Sequence, residues 1–88
     1  MGKVSFEDQG WAHYVYWEEQ DRKTLRRINQ LLQSIERDGA LNGLGKPEKL
    51  KHQDNAYSRR IDEANRLVYE ISGDETIVLS CKGHYGQK

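Results

Sequence analysis

An α+β fold, with a helical hairpin packed on one face of a small, mainly antiparallel sheet in the order β-α-α-β-β-β, is the class this sequence predicts. Three observations lead there. Between Trp11 and Ile35 apolar residues recur at three- and four-residue spacings in two blocks divided by Asp21. Beyond residue 56 the period changes to two, in three runs set apart by short turn-rich separators. A length of 88 residues with a single Cys leaves room for one domain, 1–88.

Each element follows in turn. Val4, Ser5 and Phe6 read as a short first strand, and Glu7 or Asp8 can cap what comes next. From Gln9 to Gln20, Trp11, Tyr14, Val15 and Trp17 mark a helix buried on one face. Asp21 is placed to N-cap a second helix, in which Leu25, Ile28, Leu31, Leu32 and Ile35 repeat with helical period. Arg22, Lys23, Arg26, Arg27, Gln30 and Arg37 fill its other face, and Gly39 sits at the C-cap. Residues 39–56 hold the only Pro and no sustained period, so they read as a loop. Three strands follow, Tyr57 to Ile61, Arg66 to Ile71 and Thr76 to Lys82, joined as an antiparallel meander.

Alternation along those strands sorts their side chains. Leu67, Tyr69 and Ile71, with Ile77, Leu79 and Cys81, are expected toward the core; Arg66, Ser80, Lys82 and His84 face the other way. Trp11 and Trp17 are expected in the core. The open face then gathers Arg66 with Lys46, Lys49, Lys51, Arg59 and Arg60, although alternation lets at most one of Arg59 and Arg60 share it.

Composition narrows the function classes. The chain is 35% hydrophobic and 32% charged, with a mean hydropathy of −0.99, so a small core carries an ionic surface. Its aromatic residues argue against disorder. Fourteen bases balance fourteen acids, but residues 1–21 hold one Lys against five acids, leaving the basic excess in residues 22–88. No apolar run reaches the roughly 20 residues of a bilayer span and no signal peptide follows the first Met, so a cytoplasmic protein with no membrane partner is expected. Phe6 spoils the myristoylation pattern begun by Gly2. The lone Cys81 fits a reducing compartment.

Most catalytic motifs fail. Gly45-Lys46 lacks the first Gly and the closing Ser or Thr of a phosphate loop, where Ala40 and Pro47 stand. His13, His52 and His84 are too dispersed for a metal-ligand pair, and no elbow surrounds Ser34, Ser58 or Ser80, so no metal and no cofactor are expected. Glu48, Arg66 and His84-Tyr85 remain, and each also reads as an ordinary solvated or terminal residue.

Three segments weigh against that ordinary reading: Gly45-Lys46-Pro47-Glu48-Lys49-Leu50-Lys51-His52, the run from Ser58 to Tyr69, and Cys81-Lys82-Gly83-His84-Tyr85. With Trp11 and Tyr14-Val15-Tyr16-Trp17, they make the chain resemble the YoeB (Txe) branch of the RelE-type toxins over nearly its whole length. The resemblance implies a ribosome-dependent endoribonuclease of a type II toxin-antitoxin pair. It implies a cognate YefM-like antitoxin, the ribosome and mRNA as partners, and operator DNA contacted only through the antitoxin complex. Similar toxins can form a homodimer. It further implies Glu48 as general base, Arg66 as phosphate stabiliser and His84 as general acid, with Tyr85 in the site. Gly86-Gln87-Lys88 after the His-Tyr pair, and Gly83 where an aromatic residue can stand, depart from the family's simplest pattern.

The chemistry is coherent. RNA carries its own nucleophile, the 2′-hydroxyl, so cleavage needs a base for its proton, a cation for the phosphoryl oxygens and an acid for the departing 5′-oxygen. A non-catalytic RNA- or ribosome-binding module, with the basic face but no assembled site, is the alternative that the sequence leaves open.

Overall fold

The computed structural model describes residues 2–51 and 53–83. The expected site residues His84 and Tyr85 lie outside them. The elements are β1 (Lys3–Phe6), α1 (Asp8–Gln20), α2 (Arg22–Asp38), β2 (Glu48–Lys49), β3 (Ala56–Arg60), β4 (Arg66–Ser72) and β5 (Glu75–Ser80). They form a helical hairpin on a five-stranded sheet of order β1-β5-β4-β3-β2. The expected meander is β3-β4-β5, and β1 adds to its edge in parallel with β5. A strand absent from the sequence reading, β2, lies inside the expected loop: two residues are too few to show a period, and β2 exists only through its pairing with β3.

The hairpin is set by local chemistry. Asp21 alone separates α1 from α2, its N–H donating to the Trp17 carbonyl. Its carboxylate accepts the N–H groups of Lys23 and Thr24 and the Thr24 hydroxyl, which answers the unpaired donors of the first turn of α2. The Thr24 hydroxyl, first, and those backbone bonds hold its pKa below the usual carboxylate value. At the other end Gly39 adopts φ 96° and donates to the Ile35 carbonyl. Glu7 stands at the N-cap of α1 without a side-chain bond, and its N–H goes instead to the Val78 carbonyl of β5.

Ile28, Leu31 and Ile35 of α2 meet Leu67 and Tyr69 of β4, Val78 of β5, Ile61 and Cys81 to form the core. Gly10 brings α1 onto β5, because a Cβ there would press into the Val78 carbonyl. Two expectations about facing are corrected. On β5 it is Thr76 and Val78, not Ile77 and Leu79, that face the helices. A register irregularity opposite Val68/Tyr69 pairs Tyr69 with Val78 but Val68 with Ser80, so Leu79 is an extra residue and joins Leu50, Ala56 and Val68 on the open face. The bulge then returns Cys81 to the core, as expected. Trp11 is not core: it is 54% exposed and packs edge-on to Phe6 and against Tyr14.

Arg59 requires the largest correction. Gathered with the basic surface residues, it is wholly buried, and Arg60 is the one of the alternating pair that is exposed, as alternation allowed. Its neighbours two residues away, Tyr57 and Ile61, both pack into the helix-side core, and Arg59 enters the same layer. Nε donates to the Tyr69 hydroxyl, Nη1 to Ser34 Oγ and the Leu44 carbonyl, and Nη2 to the carbonyls of Gly39 and Asn42. Ser34 passes the contact on by donating to Asp38, and the Tyr69 hydroxyl donates to the Ala40 carbonyl. Burial raises the Tyr69 pKa, with the Arg59 bond acting against it. Segment 39–45 thus folds around a guanidinium and satisfies it with main-chain oxygens.

Replacing Arg59 by Met should therefore lower unfolding free energy by about 3–5 kcal/mol, the scale for breaking a buried charged network. Arg60→Met, one residue away and exposed, should stay within about 0.5 kcal/mol. Urea titration of the two variants checks the contrast.

Candidate active site

The site is built on the sheet face away from the helices. β2 pairs with β3 so that Glu48 lies opposite Ser58, and β3 pairs with β4 so that Arg60 lies opposite Arg66. Glu48, Ser58 and Arg66 therefore share one face. Beside them Leu50, Ala56, Val68 and Leu79 make an apolar floor, so this face is less uniformly polar than its sequence suggests.

Arg66 and Glu48 are brought together as an ion pair with 3.6 Å between Nη2 and Oε2. The two ends differ sharply in environment: the Arg66 side chain is 12% exposed and the Glu48 side chain 65%. Nε of Arg66 donates to Ser58 Oγ at 3.2 Å, which fixes the plane of the guanidinium. Its Nη2 is buried and has no hydrogen-bond partner among the described residues. Such a nitrogen, buried yet beyond hydrogen-bond reach of its counter-ion, keeps donor capacity that no described residue satisfies.

The expected basic residues divide into three groups. Lys46, Lys51 and Arg60 are exposed, and Lys46 is held at a left-handed φ of 50° beside Gly45, whose carbonyl accepts the Arg60 N–H. Lys49 leaves β2 on the side opposite Glu48, and its ammonium reaches the Gln53 carbonyl at 3.4 Å. Arg59 belongs to the core, as described above.

Gly83 is brought to this site by residues that the sequence marked only as a turn. Asp62 accepts the N–H groups of Ala64 and Asn65, closing the turn between β3 and β4, and accepts from the Asn65 amide as well. Asn65 Oδ1 then receives the Gly83 N–H, while the Gly83 carbonyl accepts the N–H of Arg66. Gly83, the residue before His84, is pinned at the first residue of β4, beside Arg66. The turn itself was legible as the turn-rich separator Asp62-Glu63-Ala64-Asn65, whereas the reach of Asn65 to Gly83 is a tertiary contact with no local signal.

The sequence matches the model of the family described as YoeB-like toxin of bacterial type II toxin-antitoxin system, over residues 6–85. It is 44% identical over 84 residues to Toxin YoeB of Streptomyces coelicolor, covering 94% of this chain and 99% of that protein. Among solved structures, the YoeB dimer from Staphylococcus aureus superposes with a TM-score of 0.91 at 44% identity, over 96% of this chain and 98% of that one. The heterotetrameric YoeB-YefM complex from the same organism gives 0.89 at 44% identity, over 97% and 99%.

Cys81 lies close to this assembly in sequence but takes no part in its chemistry. Its thiol is buried against the Gly10 carbonyl, and desolvation pushes its pKa up to about 12. At pH about 8 the thiolate fraction is on the order of 10⁻⁴. Iodoacetamide should leave the native protein unlabelled and modify it stoichiometrically in denaturant, as mass spectrometry would read.

Proposed function

The chain belongs to the YoeB family of toxins, within the RelE superfamily of type II toxin-antitoxin systems, and from that premise we propose that it is a ribosome-dependent endoribonuclease. It cuts mRNA in the ribosomal A site and is neutralised by a YefM-like antitoxin. The S. aureus relatives, one a dimer and one bound to YefM, support both self-association and such an antitoxin as interactions of this chain.

The observation that carries the enzymatic reading is the unpartnered Nη2 of Arg66 beside the Glu48 carboxylate. In the proposed reaction the Glu48 carboxylate takes the 2′-hydroxyl proton and the 2′-oxygen forms a bond to phosphorus. The bond from phosphorus to the 5′-oxygen breaks, and His84 delivers a proton to that oxygen. Arg66 meets the negative charge gathering on the non-bridging oxygens, with Ser58 holding its plane. Tyr85 follows His84 in the chain and completes the set. Lys46, Lys51 and Arg60 hold neighbouring phosphates, and Lys49, which leaves β2 on the opposite side, is left out of that set. A site that only bound RNA would have no need of a carboxylate facing the phosphate, since that charge weakens affinity; this favours the enzyme over the binding module.

Glu48→Gln should slow single-turnover cleavage of ribosome-bound mRNA by about 10²–10⁴-fold, the usual contribution of a general base, with ribosome affinity retained. In the wild type the upstream product should carry a 2′,3′-cyclic phosphate and the downstream product a 5′-hydroxyl. An mRNA with a 2′-deoxy sugar at the cleaved nucleotide should bind and stay intact. Cleavage of that substrate at an undiminished rate, or products ending in 5′-phosphate, would exclude the mechanism.

A further inference from the structure

Gly10, His13 and Trp17 follow one another at i, i+3 and i+7 on α1, the stripe laid against β5. Just beyond β5 the backbone of Cys81 meets this stripe at two points. Trp17 Nε1 donates to the Cys81 carbonyl at 2.8 Å, and His13 Nδ1 accepts the Cys81 N–H at 3.1 Å. One helix thus takes both polar groups of a single residue that has left the strand ladder. The two contacts differ in what they demand. Trp17 also packs on the core, whereas half-buried His13 supplies an acceptor that an apolar residue of the same size could not. Lys82, the next residue, lies with its ammonium 4.9 Å from the Tyr16 ring centroid, and Gly83 is tied to Asn65 and Arg66.

We propose that His13 is a positioning residue: by accepting the Cys81 N–H it sets the register of the segment that runs on to His84. This rests on the assignment of His84 as the general acid. The bond requires the neutral tautomer with its proton on Nε2, because a protonated imidazole offers no acceptor at Nδ1. Burial of the ring, and then the Lys82 ammonium, hold the His13 pKa below the usual histidine value. Among the described residues the Lys82 ammonium is the charge that bears on the ring, while Gly10 and Trp17 on its own helix carry no charge. As pH falls through about 6.5 the unfolded chain takes up the proton first. The clamp's contribution to stability is therefore complete above that value and is lost as pH falls through the lower pKa of the folded state.

The test uses the full chain with His13→Leu, which has no acceptor, and His13→Asn, whose Oδ1 can stand in for Nδ1 and does not titrate. Amide exchange at Cys81, read by NMR and corrected for intrinsic rate, should show protection in the wild type near neutral pH that falls by about tenfold or more toward pH about 5. His13→Leu should lack that protection at both pH values, and His13→Asn should keep it at both. In single-turnover cleavage on ribosomes, His13→Leu should lose about tenfold in rate with affinity unchanged, and His13→Asn should recover the rate and flatten the acid side of the profile. Equal Cys81 protection in wild type and His13→Leu, or failure of His13→Asn to restore rate and protection, overturns the proposal. If His13→Leu does not fold, the wild-type pH dependence and His13→Asn decide alone. If the wild type cleaves nothing, the proposed function fails while the exchange data still judge the clamp.

Discussion

A guanidinium enclosed by protein must find an acceptor for every N–H, and in this chain Arg59 finds them by shaping the backbone around itself. Burying the charge is costly, and main-chain carbonyls of 39–44 offset that cost only if the segment closes over the arginine. The closure has a consequence for function. Gly45, at the end of that segment, hands its carbonyl to the Arg60 N–H, and three residues later the chain is in register to pair Glu48 with Ser58. The position of the carboxylate is thus set from inside the core, by a side chain that faces away from the site.

A second set of bonds holds Gly83 beside Arg66. The turn Asp62–Asn65 presents Asn65 to Gly83, and Arg66 presents its own N–H to the same residue. Arg66 is therefore anchored three ways: its backbone to Gly83, its Nε to Ser58, its Nη2 toward Glu48. Functional groups distant in sequence converge on one guanidinium whose own freedom has been removed. For the proposed reaction this is preorganisation, since a donor already fixed where charge would develop does not have to be ordered during the step.

How much of this was legible follows from the range of the forces involved. Asp21 and Gly39 bound α2 through contacts with their own neighbours, so local reading found them. The phase of β5 was misread because the extra residue at Leu79 is a property of its pairing with β4, and alternation counted along one strand cannot detect it. β2 has no local signature at all. Arg59 is the instructive case, since Tyr57, Arg59 and Ile61 alternate and their pattern placed the arginine in the core layer. Alternation between Arg59 and Arg60 allowed only one of them on the surface but was not carried through to which one. For the site, residue type and family resemblance named Glu48 and Arg66, but their pairing rests on the β2–β3–β4 register, and Ser58, Asn65 and His13 gain their roles only through tertiary contact.

The central claim is that Glu48 and Arg66 act as one unit on one phosphate, and a double-mutant cycle tests it most directly. Single-turnover cleavage of ribosome-bound mRNA would be measured for Glu48→Gln, Arg66→Ala and the double variant. Residues acting as a unit give strongly non-additive losses, so the double variant should be about as slow as the slower single variant. Losses that simply multiply would mean that the two side chains act independently, and would contradict a site organised around their pairing.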